Sequence, residues 1–175
     1  MIRKIMLAAA LAFAVPAHAQ GGLGLDGLSL EIGSGQGTDL WRAGAQWKWQ
    51  KKWLTGEAWQ LGGYWELSAG TWDNPRGSVA DFAFTPVFRL APASAAGPYL
   101  EGGIGLHYLS RVPVRNGTEL GGHVQFGSHA GAGLRFGERA RYDLGARLQH
   151  LSNAGLEKPN PGINFLLLRF QVHLD

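Results

Sequence analysis

The chain is 175 residues long, with 16 Lys and Arg against 13 Asp and Glu, a formal charge of +3 and no cysteine. That length allows one domain, and the missing cysteines exclude disulfide staples and thiolate metal sites. The small charge, with no basic cluster, excludes nucleic acid as a partner suggested by composition.

Residues 1–19 are expected to be an export signal rather than structure. Arg3 and Lys4 supply a positive start, Ile5 to Val15 an apolar core, and Ala17-His18-Ala19 a small-x-small cleavage site. The apolar run is shorter than the ~20 residues a helix needs to span a bilayer. Cleavage before Gln20 would take 19 of the 175 residues and leave 156, with 14 basic residues against 13 acids and a charge of about +1. Residues 20–175 are then expected to form a single β-barrel domain.

Beyond the signal, the pattern has a period of two, broken by turn signals. In Leu28–Ser34, Leu28, Leu30 and Ile32 share a face. In Leu40–Gln50, Trp41, Ala43, Ala45, Trp47 and Trp49 oppose Arg42, Gly44, Gln46 and Lys48. Trp53–Ala69 sets Trp59, Leu61, Trp65 and Leu67 against Gln60, Tyr64, Glu66 and Ser68. Val79–Leu90 sets Phe82, Phe84, Phe88 and Leu90 against Asp81, Thr85 and Arg89. Tyr99–Leu109 sets Leu100, Ile104, Leu106 and Tyr108 against Glu101 and His107. Gly122–Phe136 sets Val124, Phe126, Ala130, Ala132 and Leu134 against Gln125, His129 and Arg135. In Arg141–Ser152, Tyr142, Leu144, Ala146 and Leu148 oppose Asp143, Arg147 and Gln149. Ile163–Leu174 places Leu166, Leu168, Phe170 and Val172 opposite Arg169, Gln171 and His173.

Eight strands of about 10 residues, each with one apolar and one polar face, predict an all-β fold, an eight-stranded antiparallel transmembrane barrel. Closure leaves no strand edge unpaired in lipid. The interior of so small a barrel is filled by side chains, so the inward Glu, Asp, Arg and His are expected to form a paired polar plug. Trp41, Trp47, Trp49, Trp53 and Trp72 are expected in interfacial girdles. A soluble sandwich or calycin would reverse the two faces, and the alternation alone does not choose between them. The export signal, the tryptophans and the charges on the polar faces favour the membrane. With both termini periplasmic, residues 35–39, 70–78, 110–121 and 153–162 are the expected outward loops.

His150 and Ser152 continue the apolar, lipid-facing side of the seventh run, near the outer-leaflet interface. Residues i and i+2 of a strand point the same way at roughly 6.5–7 Å, within reach for an imidazole and a hydroxyl. A histidine beside a serine is the minimum unit of nucleophilic acyl chemistry. The competing reading is a strand end that tolerates two polar residues. Asn164 falls on the same face of the next strand, so its amide could orient the imidazole. Glu157 in the connecting loop is the alternative orienter. Asn153, Asn160 and the Gly155 backbone could donate to an oxyanion.

The segment from His150 through Ser152, Asn153, Gly155, Pro159, Asn160 and Gly162 to Asn164 resembles the active-site motif of the PagL-type lipid A 3-O-deacylases. The resemblance implies an eight-stranded barrel in the bacterial outer membrane that hydrolyses the ester-linked 3-O-acyl chain of lipid A. It implies Ser152 as nucleophile, His150 as general base, and Asn160, with the Gly155 N–H, at the oxyanion. The better-known members of that family carry a glutamate where this chain has Asn164. An amide can orient the imidazole but cannot balance the charge of an imidazolium. The expected partners are the membrane and its outer-leaflet lipopolysaccharide, with no nucleic acid, no metal and no cofactor; monomer and homodimer both stay open. The rival reading is a non-enzymatic outer-membrane barrel serving as adhesin or anchor.

Overall fold

Eight long strands follow one another around a closed, antiparallel barrel: β1 (Gly27–Gly35), β2 (Thr38–Lys48), β3 (Trp59–Asn74), β4 (Gly77–Pro92), β5 (Gly97–Leu109), β6 (Val124–Phe136), β7 (Tyr142–Ser152) and β8 (Ile163–His173). Each pairs with its neighbours in sequence. β8 closes on β1, in a register running from Gly27↔His173 to Ser34↔Leu166. The computed structural model describes residues 24–112, 114, 115 and 118–174; the expected export signal over 1–19 lies outside them. Both ends of the described chain lie at one end of the barrel, with the connections 49–58, 93–96 and 137–141. The other end carries four loops: L1 (36–37), L2 (75–76), L3 (110–123) and L4 (153–162).

The faces fall as the alternation predicts for a barrel in lipid. Leu148 is 66% exposed on the outside, and Leu100, Ile104, Leu106, Leu166 and Leu168 stand out beside it. Exposed apolar residues at this density suit hydrocarbon rather than water. No helix among the described residues is long and apolar enough to cross a membrane, so strands make the crossing.

Inside, the middle of the barrel is a charge network. Arg147 reaches Glu31 and Glu101 at 2.6 Å and Glu66 at 2.9 Å. Arg42 pairs with Glu31 at 2.5 Å, Arg169 with Glu66 at 2.6 Å, and Arg89 with Glu101 at 2.8 Å and Asp143 at 2.5 Å. Every charge in such a site must be paired, because each costs several kcal/mol to bring out of water. Glycine makes room where it must: a Cβ at Gly131 would lie 2.9 Å from the Cγ of Arg147.

The plug is not polar throughout. Toward the loop end the inward residues become apolar: Leu40, Trp72, Val79, Leu109, Leu120, Leu151, Ile163, Phe165 and Leu167 form one buried cluster. β8 shows the change within a single strand, from His173, Gln171 and Arg169 to Leu167, Phe165 and Ile163, all buried. Trp72 is therefore not a girdle residue. It is 1% exposed, packs edge-on against Phe165 at 5.2 Å, and donates its Nε1–H to Asp81 at 3.0 Å. The expected 70–78 loop is corrected by the same packing. Trp72 pairs in register with Val79, and both point into the apolar tier, so β3 and β4 continue to a two-residue turn at Pro75-Arg76. The Asn74 side chain accepts from the Arg76 N–H at 2.8 Å, closing that turn locally.

Candidate active site

His150 and Ser152 end β7 on its outward face, where β6 and β8 flank it. In register, His150 lies between Ser128 of β6 and Asn164 of β8, and Ser152 lies opposite Phe126. His150 is exposed and Ser152 half-buried. The strand period alone brings these side chains to one side of the wall, and the antiparallel register sets Asn164 level with the imidazole. An open groove runs across the wall here, lined by Ser128, Ala130, Leu148, His150 and Asn164.

The His150 Nδ1 and the Asn164 Oδ1 are 2.7 Å apart. An amide oxygen only accepts, so the bond places the imidazole proton on Nδ1 and leaves the lone pair on Nε2. That is the tautomer a general base needs. Among the described residues the Ser152 hydroxyl has no hydrogen-bond partner. It is a short, uncommitted hydroxyl on the same face as the imidazole, and contacts between catalytic groups commonly tighten only when substrate binds.

Asn164 is held from its other side. Its backbone N–H donates to the Oε1 of Gln36 in L1 at 3.1 Å. Gln36 and Gly37 both have positive φ, 52° and 78°, as a two-residue hairpin turn requires. The turn lifts the Gln36 side chain onto the start of β8.

L4 is organised by Asn153, which is 2% exposed. Its Nδ2 donates to the carbonyls of Gly121 at 2.9 Å and Glu157 at 2.8 Å, and its Oδ1 accepts from the Gly155 N–H at 2.9 Å. Its own N–H donates to the Oδ1 of Asn160 at 3.2 Å. Of the three expected oxyanion donors, the Asn153 amide and the Gly155 N–H are thus engaged within L3 and L4. The Asn160 Nδ2 is left with no such commitment among the described residues. Glu157 sits away from the imidazole: its Oε1 lies 2.6 Å from where a Cβ on Gly122 would be, so its carboxylate faces L3. The structure brings His150, Ser152 and Asn164 together and leaves Glu157 apart.

Two neighbours of this cluster are not legible in the sequence. Gln36 is 128 positions from Asn164, and only barrel closure joins them. Gly162 falls within the motif, but its contact with the imidazole comes from the path of L4.

The family model for lipid A 3-O-deacylase (PagL) matches residues 39–173. The chain is 30% identical over 175 residues to the lipid A deacylase PagL of Pseudomonas aeruginosa, a match covering 98% of this chain and 99% of that protein. It is 34% identical over 109 residues to the lipid A deacylase PagL of Bordetella bronchiseptica, covering 60% of this chain and 58% of that one. Its fold matches the crystal structure of the outer membrane enzyme PagL with a TM-score of 0.75 and 32% identity, over 83% of this chain and 98% of that one. The N-terminal β-barrel domain of Pseudomonas aeruginosa OprF matches with a TM-score of 0.51 at 15% identity, over 87% of this chain and 99% of that one, a likeness of fold alone. The chain belongs to the PagL family of lipid A 3-O-deacylases.

Proposed function

We propose that this protein is an outer-membrane enzyme that hydrolyses the 3-O-linked acyl ester of lipid A in the outer leaflet, after export on residues 1–19. The observation that carries the reading is the His150–Asn164 pair beside Ser152 on the lipid-facing wall. An ester lying in the leaflet reaches this site without leaving the membrane, with its acyl chain against the apolar groove below His150.

Ser152 Oγ attacks the ester carbonyl carbon while His150 Nε2 takes the hydroxyl proton. The carbonyl oxygen becomes an oxyanion, which the Asn160 Nδ2–H stabilises; Asn153 and Gly155 hold L4 in shape around it. Asn164 keeps the proton on Nδ1 and fixes the ring. Collapse breaks the bond to the sugar oxygen, and the imidazolium returns the proton to that leaving oxygen, freeing the 3-hydroxyl. Water, deprotonated by His150, then hydrolyses the acyl-serine to a free fatty acid and restores Ser152. Every residue in these steps comes from one chain, so a second copy is not needed to complete the site.

Mass spectrometry of lipid A from Gram-negative cells expressing the protein tests this. The expected result is loss of one ester-linked acyl chain, absent with Ser152→Ala or His150→Ala although both keep the heat-modifiable gel mobility of a folded barrel. Unchanged lipid A with folded wild-type protein would overturn the reading in favour of an adhesin or anchor.

A further inference from the structure

The imidazole of His150 has a second wall besides Asn164. Gly162, the last residue of L4, is buried with φ +60°, and its α-carbon is turned toward the ring. A Cβ built there would lie 2.7 Å from His150 Cε1, 3.2 Å from Nε2 and 3.2 Å from the carbonyl oxygen of Leu151. Side-chain carbons do not tolerate the first of these distances. The ring cannot turn away without loss, because Nδ1, the atom next to Cε1, is held by the 2.7 Å bond to Asn164.

We propose that Gly162 is a positioning residue for the reaction. Its bare backbone closes against the Cε1–Nε2 edge of His150 and, together with Asn164, sets the angle at which Nε2 meets Ser152. The proposal rests on the assignment of His150 as the base. Position 162 then needs glycine for two separable reasons: the left-handed backbone and the space taken by the ring. The second concerns catalysis. A side chain would swing Nε2 off line while leaving the groove below, where the acyl chain lies, as it is. A displacement of about 1 Å at a reacting group can cost on the order of 100-fold in rate. The loss is therefore expected in kcat, with KM nearly unchanged.

Three variants separate the two reasons. Gly162→Ala introduces both the strain and the collision. Gly162→Asn keeps the collision but tolerates the left-handed region. Gly24→Ala introduces strain alone, since Gly24, at the opposite end of the barrel, has φ +58° and nothing lies within 4 Å of an added Cβ. With purified, folded protein and lipid A as substrate, both Gly162 variants are expected to lose about 100-fold in kcat at similar KM, and Gly24→Ala to keep wild-type turnover. Wild-type kcat in Gly162→Ala, recovery in Gly162→Asn, or a loss confined to KM would each overturn the proposal.

A double-mutant cycle reads the contact without activity, even where Gly162→Ala folds poorly. The shift that Gly162→Ala causes in the heat-modification midpoint should largely vanish in a His150→Ala background, where the ring is gone. An equal shift in both backgrounds would show that Gly162 does not press on His150. If His150→Ala itself retains turnover, the assignment of the base fails; if His150→Ala is dead and Gly162→Ala active, only the role of Gly162 fails.

Discussion

The backbone N–H of Asn164 donates to the side-chain oxygen of Gln36 at 3.1 Å, tying the partner of His150 to the first hairpin of the barrel. Closure of β8 on β1 makes that contact, and it holds the start of β8 where the imidazole needs it. Gln36→Ala should remove about 1 kcal/mol of that support, as a typical hydrogen bond does, and slow deacylation roughly five-fold. An unchanged rate would mean that strand pairing alone positions Asn164.

Asn164 is expected to be the orienter of His150. Asn164→Ala frees the imidazole to adopt the other tautomer, which costs ~10⁴ in a serine protease, so a strong loss of turnover is expected. Asn164→Glu should keep or raise activity, because a carboxylate also stabilises the imidazolium. Glu157→Ala should be mild, since its carboxylate faces Gly122 rather than the ring. A Glu157→Ala enzyme as inactive as Ser152→Ala would move the orienter to L4.

Asn153 clasps L3 to L4 through its bond to the Gly121 carbonyl and shapes L4 through Glu157 and Gly155. Asn153→Ala leaves buried partners unsatisfied at about 1–3 kcal/mol each. L4 should become sensitive to limited proteolysis and activity should fall, while the barrel keeps its heat-modifiable mobility. A protease-resistant L4 would argue that the loop is held by other contacts.

Arg147 meets three carboxylates in the interior. Arg147→Ala strands Glu31, Glu66 and Glu101 with fewer positive partners, a change that costs about 3–5 kcal/mol when one partner of a buried pair is removed. The midpoint of heat-induced unfolding on gels should fall sharply. An unmoved midpoint would show that Arg42, Arg89 and Arg169 suffice.

Tryptophan fluorescence in brominated lipid reports the faces directly. Trp65 is 41% exposed and stacks on Phe84 at 5.1 Å, whereas Trp72 is sealed inside. Trp65→Phe should remove part of the quenchable signal and Trp72→Phe should remove none. Loss of quenching on Trp72→Phe would put that ring back in the lipid.

Much of this protein is legible locally. Alternation with a period of two marks all eight strands and sorts Arg147, Glu66 and Glu101 from Leu148, Leu67 and Leu100, because side-chain direction in a strand depends only on parity. Parity also places His150, Ser152 and Asn164 on one face, and the motif around them carries the family. The inside-out sense of the barrel is not contained in that pattern, and needed the export signal and the girdle residues as arguments. Tertiary structure alone decided the rest. Trp72 reads as an interfacial ring until Val79 and Phe165 are seen to enclose it. Asn153 reads as an oxyanion donor until Gly121, 32 positions earlier, is found accepting its amide. Gln36 and Gly162 acquire meaning only when closure and the path of L4 bring them to Asn164 and His150. The physical reason is the range of the interactions: strand parity is set between adjacent residues, while loop hydrogen bonds and the packing around an imidazole depend on segments that meet only once the barrel has closed.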